Sequence, residues 1–328
     1  MSTAPLRVAV VGARRVRQGT GEYVARELAA RGCAVPAIVG TSAASVEAAR
    51  AGLRERHGVD ARGYTSLAAL LEREAVDAVA ICSPHEAHLE QLELAAAAGL
   101  HVFAEKPLFW RPGLERAPAA EVAATVERLV DRLAAAGRHL HLNAQWPYTL
   151  ERFYALHPAA RGARPASFAL WLSPMTVGAD AVVDAGSHLI SMLQALLGPG
   201  ALEDVEVTGE DEERLQVTCV YAHAAGSTAA ALRLGRCLAP PRPAGYALDG
   251  RAVERRIELP SYSFTFEAHD DPTRTVPVPD PLVASVEDFL SSVSAGRRPD
   301  RAALVQGMTQ LQALVAAAST TAPRGVAS

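Results

Sequence analysis

Lys106 is the sole lysine of this 328-residue chain and stands within Glu105-Lys106-Pro107, while the other 31 of its 32 basic residues are arginine. An ammonium is a compact point charge on a flexible stem with a shiftable pKa, whereas a guanidinium is planar and always protonated. Where arginine serves wherever a surface needs positive charge, one retained lysine marks a place where guanidinium does not serve. A second group with chemical potential is Asp184 and His188, four residues apart in Val182-Val-Asp184-Ala-Gly186-Ser-His188-Leu-Ile-Ser191. Helical periodicity puts them on one face, one turn apart. A carboxylate there raises the basicity of the imidazole and orients it, as general acid–base catalysis requires. Such a pair is commonplace alone, and its weight comes from its combination with the lysine segment.

Those residues need elements to hold them. Arg7 to Val11 is an apolar run ending at Gly12, which reads as a buried parallel strand, and Glu22 to Arg31 has helical spacing and stops at Gly32. Further strands are expected at Val35 to Val39, Asp77 to Cys82, His101 to Ala104 and His139 to Asn143. Helices are expected at Ser42 to His57, with Ser42 as N-cap, and at Leu67 to Glu74, Glu86 to Ala98 and Ala119 to Ala136. This alternation predicts a doubly wound parallel sheet, whose ligands bind beyond the carboxyl ends of the strands. Gly12, Ser83 and Lys106 all follow such ends.

From Arg164 onward the rhythm changes. Ala166 to Leu172, Leu215 to Tyr221, Thr228 to Leu234, Val253 to Leu259 and Ser261 to Glu267 alternate as antiparallel strands do. Helices are expected near Ala185 to Leu197, with the Asp184 segment at its start, and at Leu282 to Ala295 and Ala302 to Ser319. Glu210 to Glu213 reads as a solvated hairpin loop. The fold class is therefore an α/β N-terminal Rossmann domain over residues 1–145 and an α+β domain with a mostly antiparallel open sheet over 146–328. The last helices are free in this reading to pack back on the first domain.

The loop after the first strand is Gly12-Ala-Arg-Arg-Val-Arg-Gln-Gly19-Thr20-Gly21. It is longer than the G-x-G-x-x-G fingerprint that lets backbone approach a pyrophosphate at a helix N-terminus, and Arg14 holds the place of the second glycine. Gly19 and Gly21 still precede the helix, and Arg14, Arg15 and Arg17 bring positive charge to where phosphates lie. The second expected strand ends Val39-Gly40-Thr41-Ser42, without the acidic residue that bonds the 2′-hydroxyl of NAD. With Thr41, Ser42 and the basic loop, this favours NADP(H) over NAD(H).

Composition excludes several other classes. A net charge of −4 argues against a nucleic-acid surface, and no apolar run approaches the length of a membrane span. The absence of a signal-peptide pattern and the scattered cysteines Cys33, Cys82, Cys219 and Cys237 lead us to expect reduced thiols in a cytoplasmic protein. His139 with His141 and His85 with His88 lack a third ligand at metal spacing, so no metal is expected. Ser187 has no nucleophile-elbow context, which disfavours hydrolase chemistry.

Taken together, the glycine loop, Ser83-Pro84 followed by His88, Glu105-Lys106-Pro107 and Asp184-x-x-x-His188 resemble the Gfo/Idh/MocA family of glucose–fructose oxidoreductase and inositol dehydrogenase relatives. The order and separations cover most of the chain. The resemblance implies a nicotinamide cofactor on the N-terminal domain and a C-terminal open sheet through which homodimers or homotetramers form, with sugars or cyclitols as common small-molecule substrates. It implies that Lys106 bonds the substrate oxygen at the hydride-bearing carbon and stabilises developing alkoxide charge, and that Asp184 positions substrate. His188 would be the general acid/base, the better proton carrier near neutral pH. Ser83-Pro84 would lie against the nicotinamide. Gln145 and Trp146 would line its pocket or the substrate's, and Thr20, His88 and Glu105 join the cofactor set.

The departures are informative. Many relatives carry an acidic residue where this chain has Ser191, the glycine loop is longer, and Phe109-Trp110 and Trp171 to Pro174 offer apolar walls. A ketone or imine in a less polar molecule therefore competes with a free sugar as substrate. A cofactor-binding regulatory protein or a non-redox lyase is the alternative class.

Overall fold

The computed structural model describes residues 4–14, 19–259 and 263–320. Two compact units divide them. One comprises the described residues up to Arg111 with Ala124–Asn143 and Ser285–Arg301. The other comprises Pro112–Ala123, Ala144–Ala284 and the described residues from Ala302.

The chain begins with β1 (Val8–Val11), α1 (Gly21–Ala30), β2 (Ala37–Val39), α2 (Ala43–His57), β3 (Arg62–Tyr64), α3 (Leu67–Leu71), β4 (Ala78–Ile81), α4 (His88–Ala97), β5 (His101–Glu105), α5 (Ala119–Ala135) and β6 (Leu140–Asn143). The six strands pair in parallel in the order β3-β2-β1-β4-β5-β6. Every residue of β1, β2 and β4 is buried, as expected of strands covered on both faces. The order reverses between β1 and β4, the switch point at which such sheets open a crevice. Ser42 caps α2 through a reciprocal box with Ser45, and Gly58 closes it in the left-handed conformation at φ 67°.

An aromatic and histidine cluster fills one side of this unit. Phe103 stacks on His141 at 5.4 Å and meets Phe289 edge-on at 5.7 Å. His141 Nε2 lies 2.9 Å from the Ser285 hydroxyl, and His139 Nδ1 lies 3.1 Å from the Arg297 carbonyl. Burial is the main force on these imidazoles: it pushes His141 and His101 down to about 4 and lowers His139.

The second unit holds α6 (Leu150–Leu156), β7 (Ser167–Leu172), α7 (Gly178–Leu197), β8 (Gly200–Gly209), β9 (Arg214–His223), β10 (Gly226–Gly235), β11 (Ala244–Leu248), β12 (Arg251–Glu258), β13 (Ser263–Ala268) and β14 (Asp271–Val278). The chain then continues through α8 (Pro281–Ser294) and α9 (Arg301–Thr320). The eight strands form one sheet in the order β14-β13-β12-β11-β7-β10-β9-β8. All pairs are antiparallel except β7 with β10, which run parallel, so the sheet is mostly antiparallel as expected. Tyr221, Tyr246, Phe168 and Phe266 are fully buried against the sheet, each contributing about 1.5–3 kcal/mol on the scale of a buried large apolar side chain. Gly186 lets α7 approach α9, because a Cβ there would lie 2.8 Å from Leu311.

Candidate functional site

In the first unit, one carboxylate ties the ends of two parallel strands, β5 and β6, to the start of α1. Glu105 Oε1, at the end of β5, accepts 2.6 Å hydrogen bonds from the Thr20 hydroxyl and from the Asn143 side-chain amide. Thr20 immediately precedes α1 and makes no side-chain cap to it, because its hydroxyl is turned to Glu105. The Cys82 thiol, at the end of β4, bonds with Thr20, and burial followed by the charge of Glu105 pushes its pKa well up. Charge-assisted bonds of this kind are short and strong. They fix the backbone from which the next residue, half-buried Lys106, projects.

His88 braces the same edge. It is fully buried; Nε2 lies 2.8 Å from the Ser83 carbonyl, and Nδ1 lies 3.0 and 3.2 Å from those of Pro107 and Leu108. Burial is the largest influence on its basicity and lowers it, against the carbonyls and the Glu105 charge, which raise it. This corrects its assignment to the cofactor: both nitrogens face backbone, and His88 joins the segments after β4 and β5. Ser83 donates to Gln91 Oε1 at 2.7 Å, and Pro84 beside it is exposed.

The loop after β1 has the backbone form a dinucleotide needs. Gly12 adopts φ +81°, and a Cβ there would lie 2.6 Å from the Cys82 carbonyl oxygen. At Gly21, the first residue of α1, a Cβ would lie 2.4 Å from the Gly12 carbonyl oxygen. Only glycine permits this approach of strand end to helix start. With Gly19 and Thr20 partly exposed beside them, the residues present fit a pyrophosphate between β1 and α1. Arg14 is exposed; Arg15 and Arg17, assigned to the phosphates from sequence, lie outside the described residues. After β2, Thr41 and Ser42 are exposed, and the Ser42 hydroxyl accepts from the Ser45 backbone at 3.2 Å. The Ser42 hydroxyl is thus engaged as a cap.

In the second unit, Asp184 and His188 sit within α7 rather than at its start, since the helix begins at Gly178. Asp184, Ser187, His188 and Ser191 are half-buried, whereas Val183, Ala185, Gly186, Leu189 and Ile190 are buried. The spacing of three and four residues makes the first set a polar stripe on an otherwise apolar helix. Asp184 Oδ2 accepts from the Thr176 hydroxyl at 2.5 Å, and the Ser191 hydroxyl turns back to the His188 carbonyl at 3.1 Å. The stripe can present a carboxylate and an imidazole side by side, a proton-handling pair.

Gln145 and Trp146 belong to this second unit, where they line a recess with Thr149, Arg255 and Phe264. Phe109 and Trp110 are buried in the first unit and act in packing rather than as pocket walls. Trp171 projects from the face of β7 opposite buried Phe168 and Leu170, over Gly245, and donates to Glu254 at 3.2 Å. Two residues with a bearing on function escaped the sequence reading. Asn143 gave a signal, being a polar residue at the end of a buried strand. Arg255 gave another, as a cation on the inward parity of β12.

The first unit thus has the fold of a dinucleotide-binding Rossmann domain, and the second is built on an open, mostly antiparallel sheet. Residues 6–139 match the model of the Gfo/Idh/MocA oxidoreductase family with its NAD-binding Rossmann fold. Solved structures share the fold. UDP-N-acetylglucosamine 3-dehydrogenase from Acidithiobacillus ferrooxidans is 22% identical, with 96% of this chain and 97% of that one covered at a TM-score of 0.65. Scyllo-inositol dehydrogenase from Lactobacillus casei is 17% identical, with 97% of each chain covered at a TM-score of 0.69. The WlbA dehydrogenase from Bordetella pertussis, solved with NADH and UDP-GlcNAcA, is 17% identical, with 96% and 97% covered at a TM-score of 0.66. At these identities the likeness establishes the fold. Comparison with curated proteins gives no match. Among the described residues, no helix is long and apolar enough to cross a membrane.

Proposed function

We propose that this chain is an NADP(H)-preferring oxidoreductase that moves a hydride between nicotinamide and a carbinol or carbonyl carbon of a small molecule. The observation that carries the reading is the placement of the sole lysine directly after Glu105, whose carboxylate is held by Thr20 and Asn143 at the carboxyl edge of an NAD-binding-type sheet. The bound cofactor supplies or accepts the hydride. Lys106 bonds the substrate oxygen and stabilises its negative charge, a preorganised electrostatic contribution. His188 carries the proton near neutral pH, and Asp184, steadied by Thr176, orients substrate or imidazole. The preference for the 2′-phosphate rests on the exposed turn Gly40-Thr41-Ser42 after β2, which lacks a carboxylate, with the exposed cation Arg14 on the glycine loop. The relatives that act on or bind nucleotide sugars and inositol make such compounds the first substrates to try, with less polar ketones and imines beside them.

Calorimetric titration with NADPH and NADH tests the cofactor, and absorbance of the reduced nicotinamide tests turnover against those substrates. Lys106→Ala is expected to keep cofactor affinity and lower kcat by about 10²–10³, the scale of losing an oxyanion-stabilising donor. Normal turnover by that variant overturns the role given to Lys106. Preference for NADH overturns the cofactor choice, and failure to bind either nucleotide overturns the redox reading.

A further inference from the structure

The recess in the second unit contains a charge that the hydride chemistry does not use. It encloses about 370 Å³ counting its open mouth, and Gln145, Trp146, Thr149, Arg255, Phe264 and Phe266 form most of its wall. Arg255 lies on β12 between Val253 and Ile257 on the same face; Val253 is fully buried, and the cross-strand partner of Arg255 is fully buried Phe266. By strand parity this is a position for a hydrophobe. Its guanidinium carbon stands 5.3 Å from the Trp146 ring, and one terminal nitrogen donates to the Arg242 carbonyl at 3.3 Å. The Nε is shielded from solvent and has no hydrogen-bond partner among the described residues. The charge acting on it is a second cation, Arg242, and this with the larger effect of burial pulls its pKa down to about 10. Arg256, its neighbour on the opposite face, shows the ordinary arrangement: a two-pronged pair with Glu267 at 3.0 and 2.9 Å.

A partly desolvated guanidinium with no carboxylate partner among the described residues is a standing penalty that an apolar residue at the same place would avoid. Its fork of donors matches one chemistry, the paired oxygens of a carboxylate or phosphate. We propose that this recess is a binding site for a small ring-bearing anion, with Arg255 receiving its carboxylate or phosphate and Trp146 and Phe264 flanking the ring. Gln145 offers an amide at the wall for a further polar substituent. The inference rests on this recess alone and stands whether or not the chain transfers hydride.

Calorimetric titration of the full chain with benzoate, phenyl phosphate and benzyl alcohol tests it. At least one anion is expected to bind about tenfold or more tightly than the alcohol, the scale of one hydrogen bond to a charged group. Binding of benzoate alone assigns a carboxylate ligand, and binding of phenyl phosphate alone assigns a phosphate. Arg255→Met is expected to remove the preference for anions while the melting temperature holds or rises, because an uncompensated charge has gone. Arg255→Lys keeps charge but loses the fork; it is expected to fall between the two and provides the readout if the methionine variant does not fold. Arg256→Met, on the opposite face, should bind as the unaltered chain does. Equal affinity for anion and alcohol, no binding of either anion, or unchanged anion affinity in the Arg255 variants overturns the proposal.

Discussion

Replacing His141 by glutamine should make the protein less stable near neutral pH and more stable in acid. The imidazole is buried between Phe103 and Phe289, bonded to Ser285, and pushed from 6.5 to about 4. Desolvation is the largest cause; Asp288 raises the value, while His139 and Arg297 lower it. Because the folded pKa is depressed, both states hold a neutral ring above pH 6.5, and folding is undisturbed there. As pH falls from 6.5 towards 4, the unfolded chain takes up a proton that the folded one refuses, and stability is lost across that window. At about pH 4.5 the linkage amounts to about 2.5 kcal/mol for this one group. Glutamine removes the titration, at a neutral-pH cost of about 1 kcal/mol for the disturbed bond to Ser285. Denaturant unfolding of both proteins at about pH 7.5 and 4.5 reads the difference directly, and His101 and His139 titrate alike in both. The order of stabilities should invert between the two conditions. If the difference moves by less than about 1 kcal/mol, burial does not hold His141 neutral, and the reasoning fails.

Other substitutions probe the carboxyl edge of the parallel sheet. Gly12→Ala introduces a side chain at φ +81° with its Cβ 2.6 Å from the Cys82 oxygen. It should destabilise by at least about 2 kcal/mol and weaken nicotinamide nucleotide binding, read by thermal melts and calorimetry; a neutral effect on both would refute the close-approach argument. Asn143→Leu removes one of the two donors to Glu105 and should cost about 1.5–3 kcal/mol, with cofactor affinity retained if Glu105 acts by positioning Lys106. Loss of kcat without change in melting temperature would show that Asn143 touches substrate instead.

Much of this architecture was legible in the sequence because its strongest signals are local. The apolar runs of β1, β4 and β5 and the Ser42 cap of α2 appear within a residue or two of where the sequence puts them. The strands that escaped notice include edge strands. β3 has three residues; β8 is rich in acidic residues with little of its surface buried, and β14 contains two prolines. Edge strands need not be apolar, so their alternation is weak. The parallel pairing of β7 with β10 was illegible because alternation records which face is buried and not strand direction. At the candidate site, Lys106 stood out by type, whereas the work of His88 is done against carbonyls 5 to 20 residues away, and backbone acceptors carry no sequence signature. The start of α7 was placed late because Gly178, a residue unfavourable within helices, opens it.

The solitary amine has a practical corollary for the chemist. Apart from the terminal α-amino group, reagents that acylate or reductively alkylate amines have a single half-buried target in the whole chain. A fluorophore, isotope-labelled methyl group or cross-linker directed to amines would report from Lys106 without engineering. A protease restricted to lysyl bonds would meet just Lys106-Pro107, whose proline shields it from cleavage, and would leave the polypeptide in one piece.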